Sequence, residues 1–141
     1  MKKKIVLVSG YFNPIRKGHI EYFHKAKKLG DKLFVIVNND FQRKIKGSKE
    51  FMLEQERVEI IKELKIINEV FLSIDKDRSV SKTIEKIFKK YHLGFDLFFT
   101  NGGDQKKSNI PENEICQKLG IQLIDGLGKK IQSSSWLLKK K

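Results

Sequence analysis

The stretch Gly10-Tyr11-Phe12-Asn13-Pro14-Ile15-Arg16-Lys17-Gly18-His19 decides the fold, because it joins a predicted buried strand to a predicted helix. Before it, residues 5–8 form a continuous apolar run, which is typical of a strand covered on both faces. After it, apolar side chains recur at helical spacing over residues 20–29, and Gly30 supplies a stop. A buried strand, a glycine-containing turn and an amphipathic helix indicate an α/β unit.

The same alternation continues along the rest of the chain. Further strands are predicted at residues 33–37, 69–74, 95–100 and 121–124. Further helices are predicted at residues 54–64, 80–91, 111–119, and from Ser133 or Ser134 through Leu138. This pattern predicts an α/β fold, a Rossmann-like, doubly wound, parallel five-stranded sheet flanked by helices. Ligands bind such sheets outside the carboxyl ends of the strands, so we expect the loops after the first, fourth and fifth strands to form the site.

Length and composition predict a single domain over residues 1–141. No apolar run approaches the ~20 residues that a membrane span needs. The basic start at residues 2–4 is followed by a short apolar stretch without a small-residue cleavage site, which favours a strand over a signal peptide. Cys116 is the single cysteine, so it has no partner for an internal disulfide. We therefore expect a cytoplasmic protein.

The net charge of +13 raises the question of nucleic-acid binding. Of the 30 basic residues only four are arginine, the residue that usually makes bidentate contacts to bases. The lysine excess is better explained by solvated helix faces and a bias in composition. Nucleic-acid binding is therefore the less favoured alternative, and a positive field would equally attract a nucleoside triphosphate and an anionic co-substrate.

The first loop has the features of a phosphate site. Gly10 allows a sharp turn at the end of the strand, and Gly18 allows close approach of the chain to a ligand. His19 falls at the start of the following helix, where exposed N–H groups and the helix dipole favour a phosphate. An imidazole there can donate to a phosphoryl oxygen as charge develops in the transition state. Taken alone, a histidine in a first helical turn is more often surface decoration.

With its spacing G-x-F-[DN]-P-x-x-x-G-H, this stretch resembles the nucleotidyltransferase superfamily whose signature is [HT]-x-G-H. That superfamily includes cytidylyltransferases, pantetheine-phosphate adenylyltransferases and nicotinamide mononucleotide adenylyltransferases. The final Gly18-His19 pair matches, whereas Arg16 stands where the family has His or Thr, a position that helps to hold the triphosphate. The resemblance assigns the first loop to nucleotide binding, with His19 as catalyst.

A second match lies at residues 128–137, Gly-Lys-Lys-Ile-Gln-Ser-Ser-Ser-Trp-Leu, and resembles the family's I-S-S-S/T-x-[IL] signature. In the family, hydroxyls and N–H groups at this helix start contact the β- and γ-phosphates, assisted by an upstream basic residue. The resemblance therefore implies phosphate contacts from Ser133 and Ser134, and from Lys129 or Lys130. An ordinary serine N-cap is the structural alternative.

Three shorter features support the resemblance. The run Arg43-Lys44-Ile45-Lys46-Gly47-Ser48 is similar to a basic loop that reaches the phosphates and the acceptor in glycerol-phosphate and choline-phosphate cytidylyltransferases. Glu54-Gln55-Glu56-Arg57 is similar to the family's E-x-x-R, whose arginine faces the nucleotide. The turn Gly102-Gly103-Asp104 after the fourth strand is similar to the family's G-[GD]-D turn beside nucleotide and acceptor. Taken one at a time, the basic run could be a solvated loop, the second feature an ordinary helix start, and the third a plain Asp-bearing turn.

The resemblance implies a cytidylyltransferase that moves CMP from CTP to a phosphate- or phosphonate-bearing small molecule and releases pyrophosphate. Mg²⁺ would accompany the triphosphate, no protein metal site is expected, and the protein would be a homodimer without membrane partners. An ATP-using adenylyltransferase and a catalytically weakened nucleotide binder, with Arg16 as the lesion, remain as alternatives. The implied catalytic residues are Arg16, His19, Lys44 and Lys46. The implied nucleotide-binding residues are Gly10, Tyr11, Phe12, Asn13, Gly18, His19, Arg57, Gly102, Gly103, Asp104, Lys129, Lys130, Ser133 and Ser134.

Overall fold

A computed structural model describes residues 2–100 and 110–124 of the chain. Within them, strands and helices alternate almost throughout. In chain order they are β1 (Lys3–Gly10), α1 (Lys17–Lys27), β2 (Lys32–Val37), α2 (Asp40–Lys46), α3 (Glu54–Lys62), β3 (Glu69–Leu72), α4 (Ser81–Tyr91), β4 (Phe95–Thr100), α5 (Asn113–Leu119) and β5 (Gln122–Ile124).

The strands form one sheet in the order β3-β2-β1-β4-β5, and all neighbours are parallel. This confirms the predicted doubly wound, Rossmann-like five-stranded sheet. The strand order reverses at the central strand β1, which pairs with β2 on one side and β4 on the other. Gly10 pairs with Val37, and Val8 pairs with Thr100. The carboxyl ends of the three central strands therefore meet at the point where such sheets bind ligands.

The sheet is covered on both faces, because alternate side chains of a strand point to opposite sides. On one face, Ile5 and Leu7 pack with side chains of α4 and α5, including Ile84, Ile87 and Cys116. On the other face, the packed residues are Val6, Val8, Tyr22, Phe23, Ala26 and Ile61, from β1, α1 and α3. The continuous apolar run at residues 5–8 is thus explained by burial on both faces, and Cys116 is buried as well.

The basic segment after β2 differs from the prediction, because it is largely helical rather than a loop. Asn39 caps α2 by accepting from the Gln42 N–H (2.8 Å), while the Gln42 side chain accepts from the Asn39 N–H (3.0 Å). Gly47 ends the helix in the left-handed conformation, with φ of 82°. The sequence contains both caps, but the helix is too short for its apolar periodicity to show.

The other differences are shifts of element boundaries. β3 ends at Leu72 rather than at residue 74, α5 begins at Asn113 rather than at Pro111, and α3 ends at Lys62 rather than at residue 64. The predicted helix at residues 133–138 lies outside the described residues. Within residues 2–100 and 110–124, no helix is both long and apolar enough to cross a bilayer.

Candidate functional site

The loop after β1 folds back over its own start. Phe12 has φ of 51°, a left-handed conformation that is uncommon for a large residue, and its side chain is buried. A Cβ at position 10 would lie 2.7 Å from the Phe12 ring, so the fold of this loop requires glycine there. The Phe12 ring also meets the His19 ring edge-on, with 5.1 Å between centroids. Phe12 is therefore a buried side chain that packs against the His19 ring, and it is not part of an open surface.

The hydrogen bonding of His19 determines which ring nitrogen carries the proton. The Arg16 backbone N–H donates to His19 Nδ1 over 2.8 Å at the start of α1. Partial burial, and then the positive charge of Arg16, lower the pKa of His19 below its ordinary value of 6.5. The imidazole is therefore neutral near pH 7, with Nδ1 as acceptor and the proton on Nε2. It offers one N–H donor beside the loop after β1.

A cleft of about 420 Å³ opens beside this loop at the carboxyl ends of β1 and β2. Its walls come from the first loop, the end of β2, the segment before α4 and the turn before α5. The lining residues are Ser9, Gly10, Tyr11, Asn38, Arg78, Pro111 and Glu112. Gly10 and Tyr11 thus line a cleft, and the described residues of β5 do not contribute to its walls.

Arg57 is buried behind this cleft, with 1% of its surface exposed. Its Nη1 donates to the backbone carbonyls of Tyr11 and Asn38, both at 2.7 Å. Its Nε donates to the Met52 carbonyl (3.1 Å), and Nη2 to Asp40 Oδ1 (2.7 Å). We call these five residues the Arg57 cluster. From sequence we expected Arg57 to face the nucleotide. Its guanidinium is instead buried and bonded to the backbone of two cleft residues, Tyr11 and Asn38.

Asn13 has a similar holding role. Its side-chain oxygen accepts from the N–H groups of Phe51 (3.1 Å) and Met52 (2.8 Å), and its nitrogen donates to the Lys49 carbonyl (2.8 Å). Both lone-pair directions of the oxygen are thus used within the protein. Asn13 therefore joins the segment before α3 to the first loop. Its side chain is used within the protein, whereas we expected it to contact the nucleotide.

Gln42 positions the part of the cleft wall that contains Arg78. Its side-chain nitrogen donates to the carbonyls of Asp77 (2.7 Å) and Ser79 (2.6 Å), the two neighbours of Arg78. Its side-chain oxygen accepts from the Asn38 side chain over 3.1 Å. Buried Gln42 therefore links the end of β2 to the segment that presents Arg78.

The two predicted lysines of α2 face different directions. Lys46 Nζ lies over the Tyr11 ring, 4.4 Å from its centroid, which places this side chain at the cleft. Partial burial of the amine and the nearby charge of Arg78 lower the pKa of Lys46. Lys44 lies two residues earlier, about 200° around the helix, and its exposed side chain therefore points away. The structure brings Lys46, and not Lys44, to the site.

The remaining predicted residues fall into two groups. Gly18 is buried in the first turn of α1, and the exposed Arg16 stands at the N-cap of that helix. The other group lies outside the described residues: Gly102, Gly103, Asp104, Lys129, Lys130, Ser133 and Ser134. No cluster of three or more His, Cys, Asp or Glu side chains suited to a metal ion occurs among residues 2–100 and 110–124.

Sequence reasoning missed Asn38, Arg78 and Glu112 as cleft residues. Asn38 could have been found, because it follows the end of β2 at the same edge of the sheet as the first loop. Arg78 is one of only four arginines in a lysine-rich chain, which is a weak indication of a specific role. Glu112 offered no such indication, since a glutamate at a helix start usually just complements the helix dipole.

Comparison with known proteins agrees with this architecture. The family model described as cytidylyltransferase-like matches residues 7–125. The FAD synthase of Thermoplasma volcanium is 31% identical over 140 residues, which cover 96% of this chain and 92% of that protein. The bifunctional protein HldE of Citrifermentans bemidjiense is 35% identical over 131 residues, and this chain spans 25% of its length.

A solved structure gives the same fold. The lipopolysaccharide core biosynthesis protein from Thermoplasma volcanium GSS1 superposes with a TM-score of 0.68 at 26% sequence identity. The match covers 87% of this chain and 95% of that one. The sheet and its flanking helices are therefore shared over almost the whole length of both chains.

Proposed function

The chain belongs to the cytidylyltransferase-like family of nucleotidyltransferases, and from this premise we propose that it transfers a nucleoside monophosphate from a nucleoside triphosphate to a small phosphate- or phosphonate-bearing acceptor. Pyrophosphate is the second product. The observation that best supports the proposal is the geometry of His19, whose bond to the Arg16 N–H leaves the ring proton on Nε2 at the first turn of α1.

The proposed reaction is an in-line displacement at the α-phosphorus. An oxygen of the acceptor phosphate forms the new P–O bond, while the bond from the α-phosphorus to the bridging oxygen of the β-phosphate breaks. An ionised acceptor oxygen has no proton to lose, so no general base is needed. Catalysis then consists of positioning and of stabilising the charge that develops on the α-phosphate. His19 Nε2–H is the donor for that charge.

Positive side chains near the first loop would neutralise the remaining phosphate charge. Lys46 and Arg78 are placed for this at the cleft, and Arg16 stands at the start of α1. Mg²⁺ would be held chiefly by triphosphate oxygens and water, which fits a site with no acidic cluster among the described residues. The ion would supply further neutralisation of the triphosphate.

ATP is the nucleotide that the relatives favour. The FAD synthase relative spans nearly the whole of this chain, and FAD arises when a flavin phosphate gains an adenylyl group. An adenylyl transfer to a phosphate therefore fits both the relative and the chemistry proposed for His19. A flavin phosphate is one acceptor to be tested.

CTP is the second candidate, supported by different observations. The family model is described as cytidylyltransferase-like, and the Gly102-Gly103-Asp104 turn and residues 128–137 resemble cytidylyl-transferring relatives. Both stretches lie outside the described residues. The CTP preference inferred from sequence stays a prediction.

A pyrophosphate-release assay separates the two nucleotides. ATP and CTP are each combined with Mg²⁺ and with flavin mononucleotide, glycerol 3-phosphate or methylphosphonate. We expect turnover with ATP to exceed turnover with CTP, and ATP to raise the melting temperature more at equal concentration. Turnover and stabilisation with CTP alone would mean that the protein transfers a cytidylyl and not an adenylyl group. Pyrophosphate release with neither nucleotide would reject the proposed function.

Arg16 supports a third candidate, a nucleotide binder with weakened catalysis. Arginine is longer than the family's His or Thr and permanently charged, so it can bind phosphate tightly in the ground state. Binding substrate and transition state equally well does not raise turnover. Arg16→His should then raise kcat while weakening nucleotide binding about twofold to fivefold, the scale of an exposed ion pair. If neither protein releases pyrophosphate although both bind nucleotide, the binder is the better description.

We also propose a homodimer, by resemblance to small cytidylyltransferases. Light scattering at micromolar concentration should give twice the 16.5 kDa chain mass. A monomer mass would reject this part of the proposal without affecting the assignment of the reaction.

A further inference from the structure

The outer side of α2 and the segment that leads into α3 expose a group of large apolar side chains. Eight large apolar side chains are exposed among the described residues, and half of them lie between positions 41 and 53. These are Phe41, Ile45, Phe51 and Leu53, each with 47–69% of its surface exposed, and we call them the α2–α3 surface. Single exposed apolar residues are normal, whereas a group of large ones usually marks a site of association.

Hydrogen bonds fix the two parts of this surface beside each other. The Asp40 N–H donates to Glu54 Oε1 (2.8 Å), and the Glu54 N–H donates to Asp40 Oδ2 (3.1 Å), so the starts of α2 and α3 are joined. Phe41 directly follows the first of these residues, and Leu53 directly precedes the second. Ile45 lies one helical turn after Phe41 and therefore on the same side of α2. The exposed side chains thus belong to one firmly joined part of the protein.

The charge of this part differs from that of the rest of the chain. From the start of α2 to the residue after α3, positions 40–63 contain six basic and six acidic residues, whereas the whole chain has a net charge of +13. The fully exposed charges within 40–63 are also balanced: Lys44, Lys46, Lys49 and Lys62 against Glu50, Glu56, Glu59 and Glu63. The α2–α3 surface therefore lies in a neutral region of a strongly positive protein.

A neutral apolar surface on a positive protein favours a second copy of the same chain as its partner. An acidic membrane or a nucleic acid would be attracted most strongly to the positive regions elsewhere on the chain. A second copy also carries +13 and is repelled wherever two positive regions meet, but not at residues 40–63. In a two-fold interface the same surface serves both copies, so the lysines at 44–49 of one copy can lie against the glutamates at 50–59 of the other.

We propose that the α2–α3 surface is the face on which two copies of this chain associate in a two-fold dimer. The proposal rests on the homodimer of the proposed function, to which it assigns an interface, and it does not depend on the nucleotide or the reaction. The four apolar side chains form the centre of the interface, and the surrounding lysines and glutamates form its polar rim. The side of α2 that carries Lys46 remains at the cleft.

Charged substitutions on this surface test the proposal. Ile45→Lys/Phe51→Lys places two positive charges per copy at the proposed interface, where they would meet the same charges of the other copy. Both side chains are exposed, so each copy should keep its fold. Ile20→Lys/Leu93→Lys is the matched control, because it adds the same charge at two exposed apolar residues outside residues 40–63.

Sedimentation velocity over a range of concentrations measures the dissociation constant of the dimer. The wild type should sediment with twice the 16.5 kDa chain mass at micromolar concentration. Ile45→Lys/Phe51→Lys should raise the dissociation constant at least about 30-fold, the scale of losing one strong interface contact. The control should change it little.

Cross-linking of the wild type gives a second measurement that needs no variant. Isotopically light and heavy chains are mixed, treated with an amine-reactive cross-linker and digested, and mass spectrometry identifies the links between a light and a heavy chain. These links should include Lys44 or Lys49. Links between copies that involve only lysines outside residues 40–63 would overturn the proposal.

The outcomes separate this inference from the proposed function. A dimer that survives Ile45→Lys/Phe51→Lys, or that is weakened as much in the control, leaves the homodimer standing and rejects this interface. A monomeric wild type at micromolar concentration rejects both, while pyrophosphate release decides the reaction separately. If a monomeric wild type binds phosphatidylserine vesicles and Ile45→Lys/Phe51→Lys does not, the surface contacts a membrane and the proposal falls.

Discussion

The Arg57 cluster and the Glu112 wall are two buried, charged regions of one molecule with opposite hydrogen bonding. Arg57 uses its donors on three backbone carbonyls and one carboxylate, whereas Glu112 accepts from the Val80 N–H through Oε2 and its buried Oε1 has no hydrogen-bond partner among the described residues. A fully bonded buried charge holds neighbouring segments in place, whereas a buried oxygen without a partner lowers stability. Burial alone therefore does not show how firmly a charged group is held, and its hydrogen bonds have to be compared as well.

The strongest test of the bonded region is Arg57→Met. Removing the guanidinium leaves Asp40 and the carbonyls of Tyr11 and Asn38 without their donor, so the free energy of unfolding should fall by about 3–5 kcal/mol. Urea denaturation measures the change. Arg43→Met is the control, because the other buried arginine donates to Ser48 and Glu50 and reaches Asp40 only as an ion pair at 3.8 Å, so its loss should cost about 1–2 kcal/mol. Equal losses would contradict a special role for the Arg57 cluster.

On the functional side, His19→Ala should reduce kcat by at least about 100-fold, the scale of losing one oxyanion-type donor. His24 lies on the same helix and is exposed, so His24→Ala should leave kcat unchanged. Pyrophosphate release, corrected for the folded fraction, measures both variants. Turnover that survives in His19→Ala would show that the mechanism proposed here is wrong.

The pH dependence of stability sharpens the assignment of a neutral His19. Its pKa in the folded protein lies below the ordinary 6.5, so the unfolded chain binds the proton more readily. The contribution of His19 to stability is then complete above about pH 6.5 and is lost as the pH falls toward the folded pKa, by at most about 1.4 kcal/mol per pH unit.

Urea denaturation of the wild type and of His19→Gln between pH 8 and pH 5 isolates this effect, since other groups titrate in both proteins. The difference in free energy of unfolding between the wild type and His19→Gln should shrink as the pH is lowered. An advantage that grows instead would mean that the imidazole is held as a cation, and the hydrogen bond from the Arg16 N–H to Nδ1 would have been misassigned.

The smallest effect that we expect is a change in KM when the two lysines of α2 are replaced one at a time. Lys46→Ala removes a charge over Tyr11 at the cleft and should raise the KM of a phosphate acceptor about twofold to fivefold, the range of an exposed cation–π contact or ion pair. Lys44→Ala removes an equal charge from the other side of the helix and should change KM little. Similar effects of both variants would indicate a general field rather than a placed amine.

The difference between residues 5–8 and residues 43–48 shows how far sequence patterns reach. The apolar run at residues 5–8 predicts a buried strand because burial on both faces leaves no polar position. The segment 43–48 has basic residues at three of its six positions, and the helix that includes it depends on caps at Asn39 and Gly47 rather than on periodicity. The strands were therefore predicted well, and α2 was taken for a loop.

The sequence by itself determined the alternation of strands and helices, the parallel sheet and the position of His19 at a helix start. These features follow from local spacing, since apolar periodicity and turn residues act over a few neighbours along the chain. Only the tertiary structure decided that Arg57 lies behind Tyr11, 46 residues away, and that Glu112 bonds to Val80 across 32 residues. Such contacts depend on how the elements pack, because a side chain's partners are set by the segments that meet around it and not by its neighbours in sequence.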